Sequence, residues 1–158
     1  MKNKIIYIIL IIIIIIITTG CNYKNNNIMN KTKEVTNNLK IKIEDKEYII
    51  NLEENETVNE FIKLLPIELN MNELNNNEKY AYLTNTLKTN SYNPKHINSG
   101  DVMLYGNNCL VIFYKSFDTT YSYTKIGHID NLPDLGDKNI NVRIEKWNIP
   151  PHLQFKMK

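Results

Sequence analysis

From residue 39 onward the chain alternates. "LKIKIE" places Leu39, Ile41 and Ile43 on one face and Lys40, Lys42 and Glu44 on the other, the period of two expected of a strand with one face in a core and one in water. Asp45 and Lys46 supply a turn, and "EYIINL" at residues 47–52 returns as the second strand of a hairpin. The period then lengthens. Thr57 and Glu60 have the spacing of a capping box, and Val58, Phe61, Ile62 and Leu65 follow at helical intervals, which predicts a short helix over residues 57–65. Pro66 ends it, because the residue before a proline is driven out of the helical region.

Beyond Pro66 strand signals resume in "IELNM", "KYAYL", "DVMLY", "CLVIFYK", "YTKIGHI" and "NINVRIE", with Asn, Gly, Ser or Pro between them. Together with the first hairpin these make about eight short strands, a set suited to a closed barrel or a sandwich. Closure leaves no free strand edge, which matters in a chain so rich in β-branched residues. Gly106, Asn107 and Asn108 tolerate the positive φ of a tight turn, so "DVMLY" and "CLVIFYK" read as a second hairpin. "CLVIFYK" is apolar on both faces and has to be covered twice, once by the barrel interior and once by another layer. The predicted helix is the expected cover.

The N-terminal residues obey neither period. Lys2 and Lys4 precede an unbroken apolar run at residues 5–17, followed by Thr18, Thr19, Gly20 and Cys21. A basic start, a short apolar segment and a small-residue exit are signal-peptide anatomy, and the run falls short of the ~20 residues a spanning helix needs. Gly20 and Cys21, followed by "NYKNNN", resemble a bacterial lipobox, with Thr18 standing where Leu is usual. The resemblance implies cleavage after residue 20 and a diacylglycerol on the Cys21 thiol. Its acyl chains, of the palmitate kind, would hold the mature protein on the extracytoplasmic side of a membrane at ~0.8 kcal/mol per buried methylene. Residues 21–38 then form a lipid-anchored tether, too poor in large apolar side chains to order itself. Residues 39–146 form the barrel and residues 147–158 a tail, in which Trp147 is expected to dock.

Charge and chemistry narrow the picture. The 158-residue chain has a formal net charge of +2, too balanced to argue for nucleic acid. Of its basic residues only Arg143 offers the bidentate fork favoured for phosphate and base edges. His96, His128 and His152 lack the paired spacing of a metal site, so neither metal nor cofactor is expected. With Cys21 acylated, Cys109 has no partner for a disulfide. Cys109, His128 and either Asp118 or Asp130 can be written as nucleophile, base and orienter. Nothing in the spacing brings them together, and a cysteine opening an apolar strand reads as a small buried hydrophobe.

The richest candidate surface is aromatic: Tyr80, Tyr82, Tyr105, Phe113, Tyr114, Tyr121 and Tyr123, with Tyr80 and Tyr82 sharing a strand face, as do Tyr121 and Tyr123. Such a set serves equally as ordinary barrel packing and as the floor of a groove for a peptide or small ligand. His128, in a loop-flanked segment that also holds Lys115, Asp118 and Lys125, completes the candidate binding residues.

The order of "FIKLLPIELNM", "EKYAYL", Pro94, "GDVMLYGNNCLVIFYKSF" and "KIGHID" resembles the bacterial cyclophilin-like family of small single-domain proteins, over residues 39–145. The resemblance implies a mainly β protein: a closed eight-stranded barrel with one or two short helices packed against it. The family has no settled activity and takes its name from the fold it shares with prolyl isomerases, which use an arginine in an FHRV-like strand beside an aromatic floor. That motif is absent here. Arg143, between Val142 and Ile144, reads as solvent-facing. The expectation is therefore a membrane-anchored binding module for a peptide or small ligand. The alternative is an extracytoplasmic prolyl isomerase that works without the usual arginine.

Overall fold

The computed structural model describes residues 38–147. The expected signal peptide, the lipidation site Cys21, the tether up to residue 37 and the tail from residue 148 lie outside the described residues. Those described run β1 (Asn38–Ile43), β2 (Lys46–Leu52), α1 (Glu56–Phe61), β3 (Ile67–Leu74), β4 (Glu78–Tyr82), β5 (His96–Ile97), β6 (Asp101–Tyr105), β7 (Cys109–Phe113), β8 (Phe117–Asp118), β9 (Tyr123–Ile129) and β10 (Ile140–Lys146). Eight of the strands close an antiparallel barrel in the order β1-β10-β3-β4-β7-β6-β9-β2, and β5 pairs with β8 in a separate two-stranded sheet.

The alternation read from the sequence is the reason the barrel closes. Ile41 stands opposite Tyr48 on one side and Ile144 on the other, so a single inward face continues from strand to strand. Ile41, Ile50, Leu104, Leu110, Ile112 and Ile144 are fully buried in one cluster. The interior is a packed core, as a barrel of this size requires. The first hairpin turns at Glu44 and Asp45, one residue earlier than expected. Glu44 takes a left-handed conformation (φ 49°), and its carboxylate accepts the Asn141 N–H at 2.7 Å, which fixes the turn to β10.

The helix differs from expectation in its cap, its length and its place. Asn55, not Thr57, is the N-cap: its side-chain oxygen accepts the Val58 N–H at 2.9 Å. The Asn55 amide also donates to the Lys125 carbonyl at 2.8 Å and so ties the helix to β9. Thr57 and Glu60 instead hold the loop after β4, through the Lys88 carbonyl and the Lys88 N–H. The α-helix stops at Phe61, tightens into a 3-10 turn over Ile62–Leu64 and reaches an extended Leu65 before the cis Leu65–Pro66 bond. Val58 and Phe61 enter the interior cluster, so the helix closes the core and does not cover the outer face of β7. That face is covered by the small sheet, whose Ile97 and Phe117 pack on Met103, Val111 and Phe113.

A lysine sits inside. The period of β4 turns Lys79 inward, where it is fully buried. Its ammonium pairs with Glu73 and donates to the carbonyls of Gly136 and Lys138 at 2.6 and 2.7 Å. The Tyr114 hydroxyl donates to the same Glu73 carboxylate at 2.8 Å, and its ring lies 5.0 Å from the ammonium. The network is a polar stitch that fastens the segment before β10 to the barrel, with each donor satisfied as burial demands.

Candidate functional site

The outer faces of β4, β7, β6 and β9 form the wall of a groove. Alternation along "EKYAY" sends Lys79 and Ala81 inward and leaves Glu78, Tyr80 and Tyr82 on the outside. Pairing then sets Tyr80 beside Val111 and Tyr82 beside Cys109, with Tyr105 on the other side of Cys109 and Tyr123 beyond Tyr105. The result is a depression of about 340 Å³. Tyr80, Tyr82, Tyr105, Tyr121, Tyr123 and Phe117 line it, Cys109 and Val111 lie among them, and Leu74, Asn75, Asn77 and Glu78 border it from the β3–β4 turn. Tyr105 anchors the rings, edge-on to Tyr121 at 6.2 Å and tilted against Tyr123 at 5.6 Å.

Exposure singles out this face. Among the described residues the exposed large apolar side chains are Leu74, Tyr82, Tyr92, Tyr105 and Tyr121, and all but Tyr92 line the groove. Tyr82 and Tyr121 keep 67% and 62% of their surface in water.

Among the described residues the groove has one charged side chain, Glu78. Burial, and then the neighbouring Glu73, push its carboxyl up from 4.5 to about 7. Among the described residues it has no ion pair and no side-chain hydrogen bond. The same surroundings push the Cys109 thiol up, first by burial and then by Glu78. Tyr123 is pushed up to about 12, again by burial first and Glu78 second. The site is apolar and aromatic with a negative end, and the Cys109 thiol is held protonated.

The sequence candidates divide as follows. Tyr80, Tyr82, Tyr105, Tyr121 and Tyr123 come together in the groove. Phe113 lies beneath it, fully buried, its ring 5.4 Å from Tyr123 and 5.6 Å from Phe117. Tyr114 follows Phe113 and so faces the other way, onto Glu73 in the interior. His128 is elsewhere on β9: its Nδ1 lies 3.1 Å from Asp101, its Nε2 3.7 Å from Asp130. His128 pairs across β6 with Asp101 and Cys109 with Tyr105, four residues or roughly 13 Å along that strand, so His128 does not reach the thiol. Asp118 pairs instead with His96 at 2.6 Å. Sequence reasoning passed over Glu78, although it is in phase with Tyr80 and Tyr82. It also passed over Phe117, which lies in a two-residue strand that carries no periodic signal.

Among the described residues no group of three or more His, Cys, Asp or Glu is placed to hold a metal ion. Arg143 projects from β10, which lies between β1 and β3, and its guanidinium binds Glu68 at 2.5 Å and Glu145 at 3.1 Å. It shares no strand with the groove.

A closed antiparallel barrel of eight strands with one short helix, grooved on its outside, is a frame that supports a binding or isomerase-like module. The sequence profile of the cyclophilin-like family matches residues 41–145, and the chain belongs to that family. A hypothetical protein from Archaeoglobus fulgidus, whose structure was determined in solution, is similar in fold. The likeness has a TM-score of 0.50 and 21% identity over 72% of this chain and 96% of that one. No curated protein matches the chain.

Proposed function

We propose that the protein is a lipid-anchored, extracytoplasmic binding module whose aromatic groove seats a short peptide or small ligand. The carrying observation is that Tyr82, Tyr105 and Tyr121, three of the four exposed aromatic side chains among the described residues, are gathered on one face. Tyrosines offer large contact area with little rotamer entropy to lose, and a contiguous exposed apolar patch marks an interaction surface. Phe113 and the barrel beneath them hold the rings in place before any ligand arrives, which lowers the cost of binding. The groove offers an acceptor and phenols but no arginine, which favours binding over the isomerase alternative.

The test is a peptide panel titrated against the full chain in maltoside micelles. Tyr82→Ala and Tyr105→Ala are expected to weaken binding by about tenfold or more, and Tyr92→Ala to leave it unchanged. Equal affinity across all three variants would remove the groove from the reading. The anchor rests on the pattern ending in Cys21 and is tested separately: Cys21→Ser should abolish both palmitate labelling and signal cleavage, and a variant that still carries label would overturn it.

A further inference from the structure

We propose that the Glu78 end of the groove recognises an alkylammonium group, so that the ligand is a cation on an apolar stem. The inference rests on the groove reading above and adds the chemistry of the occupant. Glu78 is a half-buried carboxylate with no donor supplied by the described chain. The neighbouring lysines are engaged elsewhere: Lys79 is turned inward onto Glu73, Lys115 pairs with Asp134 and Lys125 with Glu53 and Asp101. Asn77, on the same border, holds a buried side-chain oxygen that also lacks a partner. Among the described residues no lysine or arginine lines the groove.

A ligand must complement both features. An anion would meet Glu78 and the negative faces of the rings. Above about pH 7 a neutral apolar ligand would exclude water from Glu78 and either leave a carboxylate buried without a donor or force it to take up a proton, and both are costly. An ammonium satisfies the carboxylate, and its stem and charge suit aromatic walls through apolar contact and cation–π attraction. The field of Glu78 reaches across the groove to Cys109 and Tyr123, so a cation there is attracted over the groove's width. Two sources carry such a cation: a lysine side chain in a peptide, which also donates N–H groups to the carboxylate, and a free quaternary amine, which offers charge and cation–π attraction without a donor.

The experiment titrates the full chain in maltoside micelles, which carry no ammonium, with choline and with Nα-acetyl-lysine methylamide. Each is compared with its neutral counterpart, 3,3-dimethylbutanol or Nα-acetyl-norleucine methylamide, and tyrosine ring resonances report occupancy. At least one ammonium is expected to bind about tenfold tighter than its neutral counterpart, through an ion-pair attraction discounted for partial exposure to which the lysine derivative adds an N–H donor. Glu78→Gln should erase that advantage. Preference for choline assigns a free quaternary amine, and preference for the lysine derivative a peptide.

The advantage should also shrink from pH 8 to pH 6 as Glu78 takes up a proton. The other titratable groups around it are Glu73 on β3, Tyr80 and Tyr82 on β4, Cys109 on β7, Tyr105 on β6, Tyr123 on β9 and Tyr121 just before β9. Cys109 and Tyr123 are pushed up and stay neutral in that window, and Glu73 is turned inward onto Lys79. Neutral counterparts that bind as tightly as the ammoniums would overturn cation recognition and leave the groove standing. Failure of both ammoniums to bind would overturn it too, while the groove itself stands or falls with the tyrosine variants.

Discussion

Replacing Glu78 with glutamine should make the protein more stable at pH 8 and leave it nearly unchanged at pH 5. Glutamine keeps the shape and removes the charge that the groove opposes. In the folded chain the carboxyl titrates at about 7 against an ordinary 4.5, so the folded state holds its proton more tightly than the unfolded one. The stability contributed by the neutral carboxyl is therefore complete below about pH 4.5 and is lost as pH rises through about 7. A displacement of that size corresponds to roughly 3 kcal/mol. Glu78 keeps part of its contact with water, which screens the effect and leaves an expected ~1–2 kcal/mol. Asp134 and Glu145 titrate below their ordinary range, held there first by the Gly136 N–H and by Lys40 respectively, so their contributions vanish only at the acid end. Urea unfolding followed by far-ultraviolet circular dichroism at the two pH values measures the difference as a midpoint shift of about 1 M at pH 8. A glutamine variant no more stable than the parent at pH 8, or one equally favoured at both pH values, would refute the reasoning.

Three further substitutions probe the frame that carries the groove. Gly100→Ala should cost ~2 kcal/mol or more in thermal unfolding: Gly100 has φ +95°, and an added Cβ would press on the Ile129 carbonyl and stand 2.9 Å from His128 Cε1. A loss below about 0.5 kcal/mol would mean that the position is not strained. Lys79→Met strands the Glu73 carboxylate and the Gly136 and Lys138 carbonyls, with an expected loss of ~3 kcal/mol that Lys79→Met combined with Glu73→Gln should partly recover. Additive losses in that double-mutant cycle would contradict the proposed stitch. Asn55→Ala removes the α1 cap and the bond to the Lys125 carbonyl and should cost ~1 kcal/mol, read as faster amide exchange over Glu56–Phe61, whereas Thr57→Ser should leave that exchange unchanged.

The barrel was legible because its signal is periodic. In β1, β4 and β10 alternation alone separates inside from outside, and closure follows once each strand has one apolar face. The helix was legible only in its apolar spacing, since Thr57 and Glu60 satisfy the capping-box pattern yet bond to Lys88 across a tertiary gap. Spacing cannot distinguish a local partner from a distant one. The same limit explains why the cover of β7 was misassigned. Ile97 and Phe117 belong to two-residue strands too short to show a period, and what brings them over Phe113 is pairing between residues 96–97 and 117–118. In the groove, strand phase joins Tyr80 to Tyr82 within one strand, but only register between strands joins them to Tyr105 and Tyr123.

The location of the groove follows from what the second layer leaves bare. Since the interior is filled and its buried lysine satisfied, any ligand site must be external, and the outer face of β4, β7, β6 and β9 is apolar enough to require cover. The small sheet covers part of it, packing on Met103, Val111 and Phe113. The loop after β4 is tied to the β6–β7 turn by the Leu83 and Leu87 N–H groups, which donate to the carbonyls of Asn108 and Asn107, and the face beside Tyr82 and Tyr105 stays open. Tyrosine suits an open position of this kind, because its hydroxyl keeps water while its ring remains available for contact. The unpaired carboxylate of Glu78 does not fit that account of tolerance. Glutamine would serve a merely wet edge at lower cost, so a charge kept at the border of an aromatic wall, opposed by burial and by Glu73, has its simplest physical reason in a cation that comes and goes.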